Sequence, residues 1–294
     1  MTRIDPLIYI IEPFGGSVRW HNPNLPHVFF DDAAVTRGDG VVETLLLSGG
    51  RPANLARHAQ RFARSAEQFG LGPIDTEHWE RAALQLAEEW EDRHEGVEAR
   101  CTWTLSRGRA SAGVPTAWMV ATPISETVRG QRDNGVTVMT TGRGYRIVED
   151  EHVPEWLPQG AKSLNYATTM AAVRHARARG FDDVIFVEDD RVLEGATSTV
   201  IVVSRSGALR TPPAGRGVLV STSQAALFAA AHAQGRKVKE KKLLIDDLLS
   251  ADSVWLLSST RRGARVRAID GHELPAGQHD TEIRALIEEA LTAG

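Results

Sequence analysis

Lys162 stands in the stretch Gln159-Gly160-Ala161-Lys162-Ser163-Leu164-Asn165-Tyr166, between small residues and just ahead of a helical segment. An amine in such a place is either a solvated charge or a nucleophile able to form a Schiff base with a carbonyl. Glu194 lies in Val192-Leu193-Glu194-Gly195, where a strand meets a tight turn. A carboxylate there is partly buried, which is costly unless a cation or a donor meets it. Ser221, Thr222 and Ser223 open a helical segment. Helix N-termini attract phosphate through unpaired backbone N–H groups and the positive end of the dipole. Ser258, Ser259 and Thr260 follow a strand and form a second donor cluster. Taken singly, the hydroxyls are caps and Glu194 is a turn residue.

Competing chemistries lack their signatures. Glycines occur in Gly142-Arg143-Gly144-Tyr145 and in 106–113, but no GxGxxG leads from a strand into a helix, and no Walker pattern exists. The ten histidines are scattered without an HExxH or HxH pair, so no metal site is expected, and His58 and His175 read as surface or packing residues. No GxSxG elbow marks a serine hydrolase. What remains is a lysine for a Schiff base, a carboxylate for a pyridine nitrogen, and arginine and hydroxyl donors for a phosphate. Together they match the needs of pyridoxal 5'-phosphate.

The elements that must position these groups follow from pattern. Residues 41–47 are strand-like and run into the turn Ser48-Gly49-Gly50-Arg51. Asn54 is placed to cap the next helix, whose apolar face carries Leu55, Ala59, Phe62, Ala66 and Phe69. Arg57, Arg61 and Arg64 occupy its other faces. A second helix covers Thr76–Trp90, with Trp79, Ala83, Leu86 and Trp90 as its stripe, and strands follow at 99–106 and 116–122. Residues 123–135 are polar, contain Pro and Gly and lack an apolar period, so they read as an interdomain linker. Beyond lie a strand at 136–141, an irregular segment at 142–161 and a helix at 165–179 ending at Gly180. Three short strands in 182–204 turn at Asp189–Asp190. A helix at 222–234, a strand at 253–259 and a helix at 280–292 complete the chain. Strands and helices mix without regular βαβ alternation, which favours an α+β fold over a doubly wound sheet. The expected organisation is a small N-terminal domain at 1–122, the linker at 123–135, and a larger domain at 136–294 carrying Lys162.

Composition bounds the function class. With 294 residues and 42% hydrophobic content the chain can bury two cores. A formal charge of −4 argues against nucleic acid, and the basic run at 235–242 reads as a solvated strand edge. No segment approaches the ~18 apolar residues of a membrane span. Cys101 is the sole cysteine, in an apolar strand-like context, so a buried structural thiol and a reducing cytoplasm are expected.

The chain resembles the fold-type IV pyridoxal-phosphate enzymes, which include 4-amino-4-deoxychorismate lyase, D-amino-acid aminotransferase and branched-chain aminotransferase. The resemblance rests on six segments in the family's order: 37–66 (RGDGVVETLLLSGGRPANLARHAQRFARSA), 105–108 (LSRG), 161–166 (AKSLNY), 192–203 (VLEGATSTVIVV), 211–227 and 248–271. It implies a small N-terminal α/β domain and a larger C-terminal domain with a β-barrel-like core. By the same resemblance Lys162 is the Schiff-base lysine and Glu194 bonds the pyridine nitrogen. Arg61, in the family's H-x-x-R pattern with His58, binds phosphate, as do Thr222, Ser223, Ser259 and Thr260. Tyr166 matches a tyrosine near the phenolic oxygen. A homodimer acting on a small amine is implied too. Ser221-Thr222-Ser223-Gln224 departs from the family's Gly-Ile-Thr-Arg, and Ser198-Thr199 from its Ser-Asn.

The resemblance leans toward the lyase, which forms 4-aminobenzoate and pyruvate in folate biosynthesis. Thr44 follows Glu43 where these lyases carry threonine, and Leu105-Ser106-Arg107-Gly108 resembles their version of the following segment. Arg107 is then a carboxylate anchor, since its planar fork can hold a carboxylate with two bonds; its other reading is a surface turn residue. Thr102, where lyases often carry a basic residue, points the other way. The alternative is an aminotransferase of the D-amino-acid or branched-chain type. The loop 142–160, with Arg143, Tyr145 and Trp156, is a candidate pocket lining, and Arg261-Arg262 has no account at this level.

Overall fold

The computed structural model describes residues 4–146, 156–158, 160–215 and 217–293. The chain divides into two compact units, the first running to Ser125 and the second beginning at Glu126. Residues Ala161–Asn165 return to the first unit, and the second resumes at Tyr166.

In unit 1, β1 (Leu7–Ile11), β2 (Val18–His21) and the short helix α1 (Ala33–Thr36) precede β3 (Gly40–Ser48) and β4 (Arg51–Pro52). Two helices, α2 (Leu55–Gln68) and α3 (Thr76–Arg93), lead to β5 (Ala99–Ser106) and β6 (Thr116–Pro123). The sheet order is β2-β1-β6-β5-β3-β4, with antiparallel neighbours throughout. Side chains alternate along a strand. Val41, Leu45 and Leu47 of β3 therefore share a face with Glu43, and they join one core with Ala59 and Phe62 of α2 and Trp79 of α3. Phe62, Trp79 and Trp103 form its aromatic centre, with ring centroids 4.7–5.5 Å apart. Aspartate caps α3 as expected of a polar residue at that place, Asp75 accepting from the His78 N–H. Asn54 starts α2 differently from expectation. It adopts a left-handed backbone (φ 53°) and makes no side-chain cap bond, so backbone geometry, not the amide, turns the chain into the helix.

Unit 2 opens with α4 (Glu126–Asn134), then β7 (Val136–Thr141), α5 (Ala167–Arg177), β8 (Asp183–Glu188), β9 (Arg191–Gly195), β10 (Thr199–Val203) and β11 (Leu209–Thr211). Next come α6 (Thr222–Ala233), β12 (Val238–Glu240), α7 (Ile245–Leu249), β13 (Ser253–Ser258), β14 (Arg262–Ile269), β15 (His272–Glu273) and α8 (Asp280–Thr292). The sheet order is β12-β11-β10-β13-β14-β7-β8-β9, with β15 on β14. Strands β9 and β10 are consecutive in the chain, and a tight turn closed by the Gly195 N–H on Ser198 O joins them. Such a turn between a terminal strand and one near the other end curls the sheet. Ile201, Val203, Trp255 and Leu257 pack under α6 and α8, while Val200, Val202, Val254 and Leu256 fill a second core on the opposite face. Burial on both faces explains why these strands read as continuous apolar runs. The architecture is α+β, as expected.

Two expectations about organisation need correction. The stretch 123–135 is not an extended linker: most of it is α4. Its lack of an apolar stripe reflects a helix that buries mainly one arginine, Arg132. Lys162 does not belong with the C-terminal unit that follows it in sequence. Its carbonyl accepts the Val42 N–H (2.9 Å), and the Leu164 N–H donates to Gly40 O (3.0 Å), so the segment lies along β3.

Candidate active site

In unit 1 the site is built on β3, α2 and the segment 161–165. His58, Arg61 and Ser65 recur at steps of three and four on α2, and all three are buried beside the apolar stripe. Arg57 and Arg64 are exposed. The Ser65 hydroxyl accepts the Lys162 backbone N–H at 3.1 Å. Gly40 makes the approach possible, since a Cβ there would meet Leu105 O at 2.7 Å and the Leu164 side chain at 2.9 Å.

Glu43 is the charged centre of this unit and is wholly buried. Its Oε2 accepts from Arg61 Nε (2.9 Å), and its Oε1 accepts from Arg61 Nη2 (2.6 Å) and from the Thr44 N–H (2.8 Å). His58 Nδ1 lies 3.1 Å from the same oxygen. Burial alone would raise the Glu43 pKa, but Arg61 and His58 outweigh it and hold the carboxyl well below its usual range. Burial pushes the His58 pKa down, Glu43 partly offsetting it, and Arg61 and Lys162 add to the lowering. Thr44 points to the face opposite Glu43 and is half-buried. Arg107 is half-exposed and holds Asp39 through Nε (2.7 Å) and Nη2 (3.2 Å), while Nη2 also reaches Phe69 O (2.6 Å).

In unit 2, Glu194 ion-pairs with the buried Arg143 and accepts the Leu219 N–H at 3.1 Å. Arg143 also donates to Gly217 O and lies 5.4 Å over the Phe186 ring. A carboxylate offers about four lone-pair positions, so these bonds are compatible with one more donor such as a pyridinium N–H. The α6 N-terminus fits an anion. Ser221 caps it, accepting the Gln224 N–H at 3.1 Å. Thr222 and Ser223 are buried behind the cap, and Thr222 Oγ1 is a buried hydroxyl with no hydrogen-bond partner among the described residues. An orphaned hydroxyl at the positive end of a twelve-residue helix is what a phosphate would satisfy.

Ser259 and Thr260 occupy the turn between β13 and β14. Arg132 of α4 donates to Thr260 O (2.5 Å), and the Arg261 N–H reaches Ser258 Oγ (3.3 Å). The Arg261 guanidinium pairs with Asp183 at 2.7 Å, both nearly buried, and Arg262 pairs with Glu288. That pair of arginines thus clamps the turn and ties it to α8. Tyr166 is half-buried at the start of α5. Of the loop 142–160, residues 147–155 and 159 lie outside the described residues; Tyr145 and Trp156 are exposed.

Sequence reasoning missed Glu43 and Ser65 as site residues, and it offered Arg143 only as a pocket-lining candidate, not as the partner of Glu194. Glu43 carried a readable signal, a carboxylate inside an otherwise apolar strand. Ser65 and the pairing of Arg143 with Glu194 carried none, because their partners are distant in sequence. Among the described residues no group of His, Cys, Asp or Glu could hold a metal ion, and no helix is long and apolar enough to cross a membrane.

A family model described as amino-transferase class IV matches residues 40–269. The chain belongs to the class IV aminotransferase family, enzymes whose cofactor is pyridoxal phosphate. It is 36% identical to a bifunctional aminodeoxychorismate lyase / D-amino acid transaminase of Mycobacterium tuberculosis, over 92% of this chain and 96% of that one. The pyridoxal-phosphate-bound form of an aminotransferase from Mycobacterium tuberculosis superposes with a TM-score of 0.91 at 34% identity, covering 97% of this chain and 98% of that one. The fold IV transaminase CpuTA1 from Curtobacterium pusillum does so at 0.88 and 35%, covering 98% and 97%.

Proposed function

We propose that this enzyme converts 4-amino-4-deoxychorismate to 4-aminobenzoate and pyruvate, with D-amino-acid transamination as a second activity. The observation that carries this reading is the Mycobacterium tuberculosis relative, whose name couples both reactions and which matches nearly end to end. A D-alanine aminotransferase of Bacillus licheniformis, 26% identical over 85% of this chain and 86% of its own, favours the second activity.

The roles rest on this chain's own groups. Lys162 would hold the cofactor through its amine and, when free, would serve as the base that takes the proton from the substrate carbon. Glu194, paired with Arg143, would accept a hydrogen bond from the cofactor's pyridine nitrogen. Arg61, the α6 N-terminus with Thr222 and Ser223, and the Ser259–Thr260 turn are the groups that would hold the phosphate, and Tyr166 would meet the phenolic oxygen. When bound, the cofactor supplies a ring that accepts the electrons left on the deprotonated carbon. Thr44 lies against the substrate, and Arg107 anchors a carboxylate. An exposed ion pair is worth little, so a substrate carboxylate can exchange with Asp39 on the Arg107 fork.

The test is to supply aminodeoxychorismate and measure 4-aminobenzoate, and to run D-alanine with 2-oxoglutarate beside it and measure glutamate. Both products are expected, and Lys162→Ala should abolish both along with the visible absorbance of the bound cofactor. Rapid transamination without 4-aminobenzoate would overturn the lyase assignment.

A further inference from the structure

Glu43 has no contact that the chemistry above requires of it, yet it is a charge buried completely within unit 1. We propose that Glu43 is a positioning residue, fixing the Arg61 guanidinium for the cofactor phosphate. This rests on the assignment of Arg61 made above.

The geometry is a side-on pair. Glu43 Oε2 takes Arg61 Nε and Oε1 takes Nη2, at 2.9 and 2.6 Å. Two parallel bonds fix the plane and rotation of a guanidinium, where a single bond would leave it free to swing. With the Nε edge held by Glu43, the orientation of the whole guanidinium is fixed. Glu43 is itself held on three sides. The strand fixes its backbone between Val42 and Thr44, the Thr44 N–H ties Oε1 to the main chain (2.8 Å), and His58 Nδ1 braces it (3.1 Å). A flexible exposed carboxylate could not transmit strand geometry to an arginine on a helix. A rigid buried one can, because its own position is set by β3, the strand along which the Lys162 segment lies. One element therefore registers both the lysine and the arginine.

The experiment separates phosphate recognition from the rest of cofactor binding. Apo-enzyme is titrated with pyridoxal phosphate and with pyridoxal, and the ratio of their affinities is read from visible absorbance. A charged hydrogen-bond contact is worth about a 10- to 100-fold preference. Arg61→Met should reduce the wild-type ratio by that order. Glu43→Gln and Glu43→Asp should each reduce it at least about 5-fold while leaving pyridoxal affinity within about 2-fold, a selectivity that a merely structural role would not show. Glu43→Gln leaves Arg61 without a counter-charge and can fail to fold. Glu43→Asp keeps the charge and moves it back by one methylene, and Glu43→Gln with Arg61→Met removes both charges. The double variant should lose no more of the ratio than Arg61→Met alone. If the Glu43 variants keep the wild-type ratio while Arg61→Met loses it, the positioning role is overturned and the Arg61 assignment stands. If Arg61→Met also keeps it, both are overturned.

Discussion

At the scale of single residues, burial and pairing decide what each ionisable group can do. His58 sits in the core with its pKa pushed below the ordinary 6.5 by burial. It is neutral in the native state, and the unfolded chain binds the extra proton once pH drops below that value. Its contribution to stability is therefore complete above 6.5 and declines as pH falls toward the depressed pKa. Thermal unfolding should show a falling Tm between about pH 7.5 and 5.5, and His58→Gln should make that slope shallower. An unchanged slope would remove His58 as its source. Cys101 is buried and its thiol is pushed up to about 12, so the reactive thiolate is suppressed. A thiol reagent should leave the native protein untouched and react fully after denaturation. Thr44→Val should reduce elimination more than transamination, measured on the two substrates in parallel; equal losses would remove Thr44 as the discriminating residue. Lys162 and Glu194 stood out in the sequence as residue types with a chemistry, and the family resemblance singled out Arg61 from its neighbouring arginines. Glu43 was passed over, because its meaning lies in Arg61 and His58, eighteen and fifteen positions away.

At the scale of elements, position follows from period and from close approach. Helix α2 buries two adjacent stripes: one apolar, through Ala59, Phe62 and Ala66, and one polar, through His58, Arg61 and Ser65. The apolar stripe was legible because hydrophobic periodicity reports burial. The polar stripe was not, since polar residues at helical spacing are ordinarily solvated. Phe62 contacts Trp79 and Trp103 in a dry core, and Phe62→Ala should cost about 3–5 kcal/mol in denaturant unfolding. Gly40 lets the lysine segment lie against β3. Gly40→Ala must displace Leu105 O or the 161–165 segment, so the Val42 and Leu164 amides should exchange hydrogen faster, with cofactor uptake weakened. Unchanged protection at both amides would show that the sheet absorbs the methyl without moving the lysine.

At the scale of the whole molecule, chain order and spatial order part company. Unit 1 is discontinuous, completed by five residues that come after unit 2 has begun. The stretch expected to link the units is a helix whose Arg132 grips the Thr260 carbonyl, and Arg284 of α8 in turn grips the Arg132 carbonyl (2.6 Å). The Arg261–Asp183 pair bridges β8 and the same turn in a nearly dry setting. Removing one partner strands a buried charge, so Asp183→Ala should destabilise by about 3–5 kcal/mol, measured by denaturant unfolding. The sequence by itself determined most of the element types and the α+β class, because these rest on local propensity and periodicity, and side-chain chemistry with the family resemblance named the candidate reactive residues. Only the tertiary structure decided that the lysine segment lies along β3, that Arg61 is held by Glu43, and that Glu194 is paired with Arg143. Those facts depend on contacts between residues far apart in the chain, and desolvation, which gives such pairs their strength and their cost, exists only once the fold has closed around them.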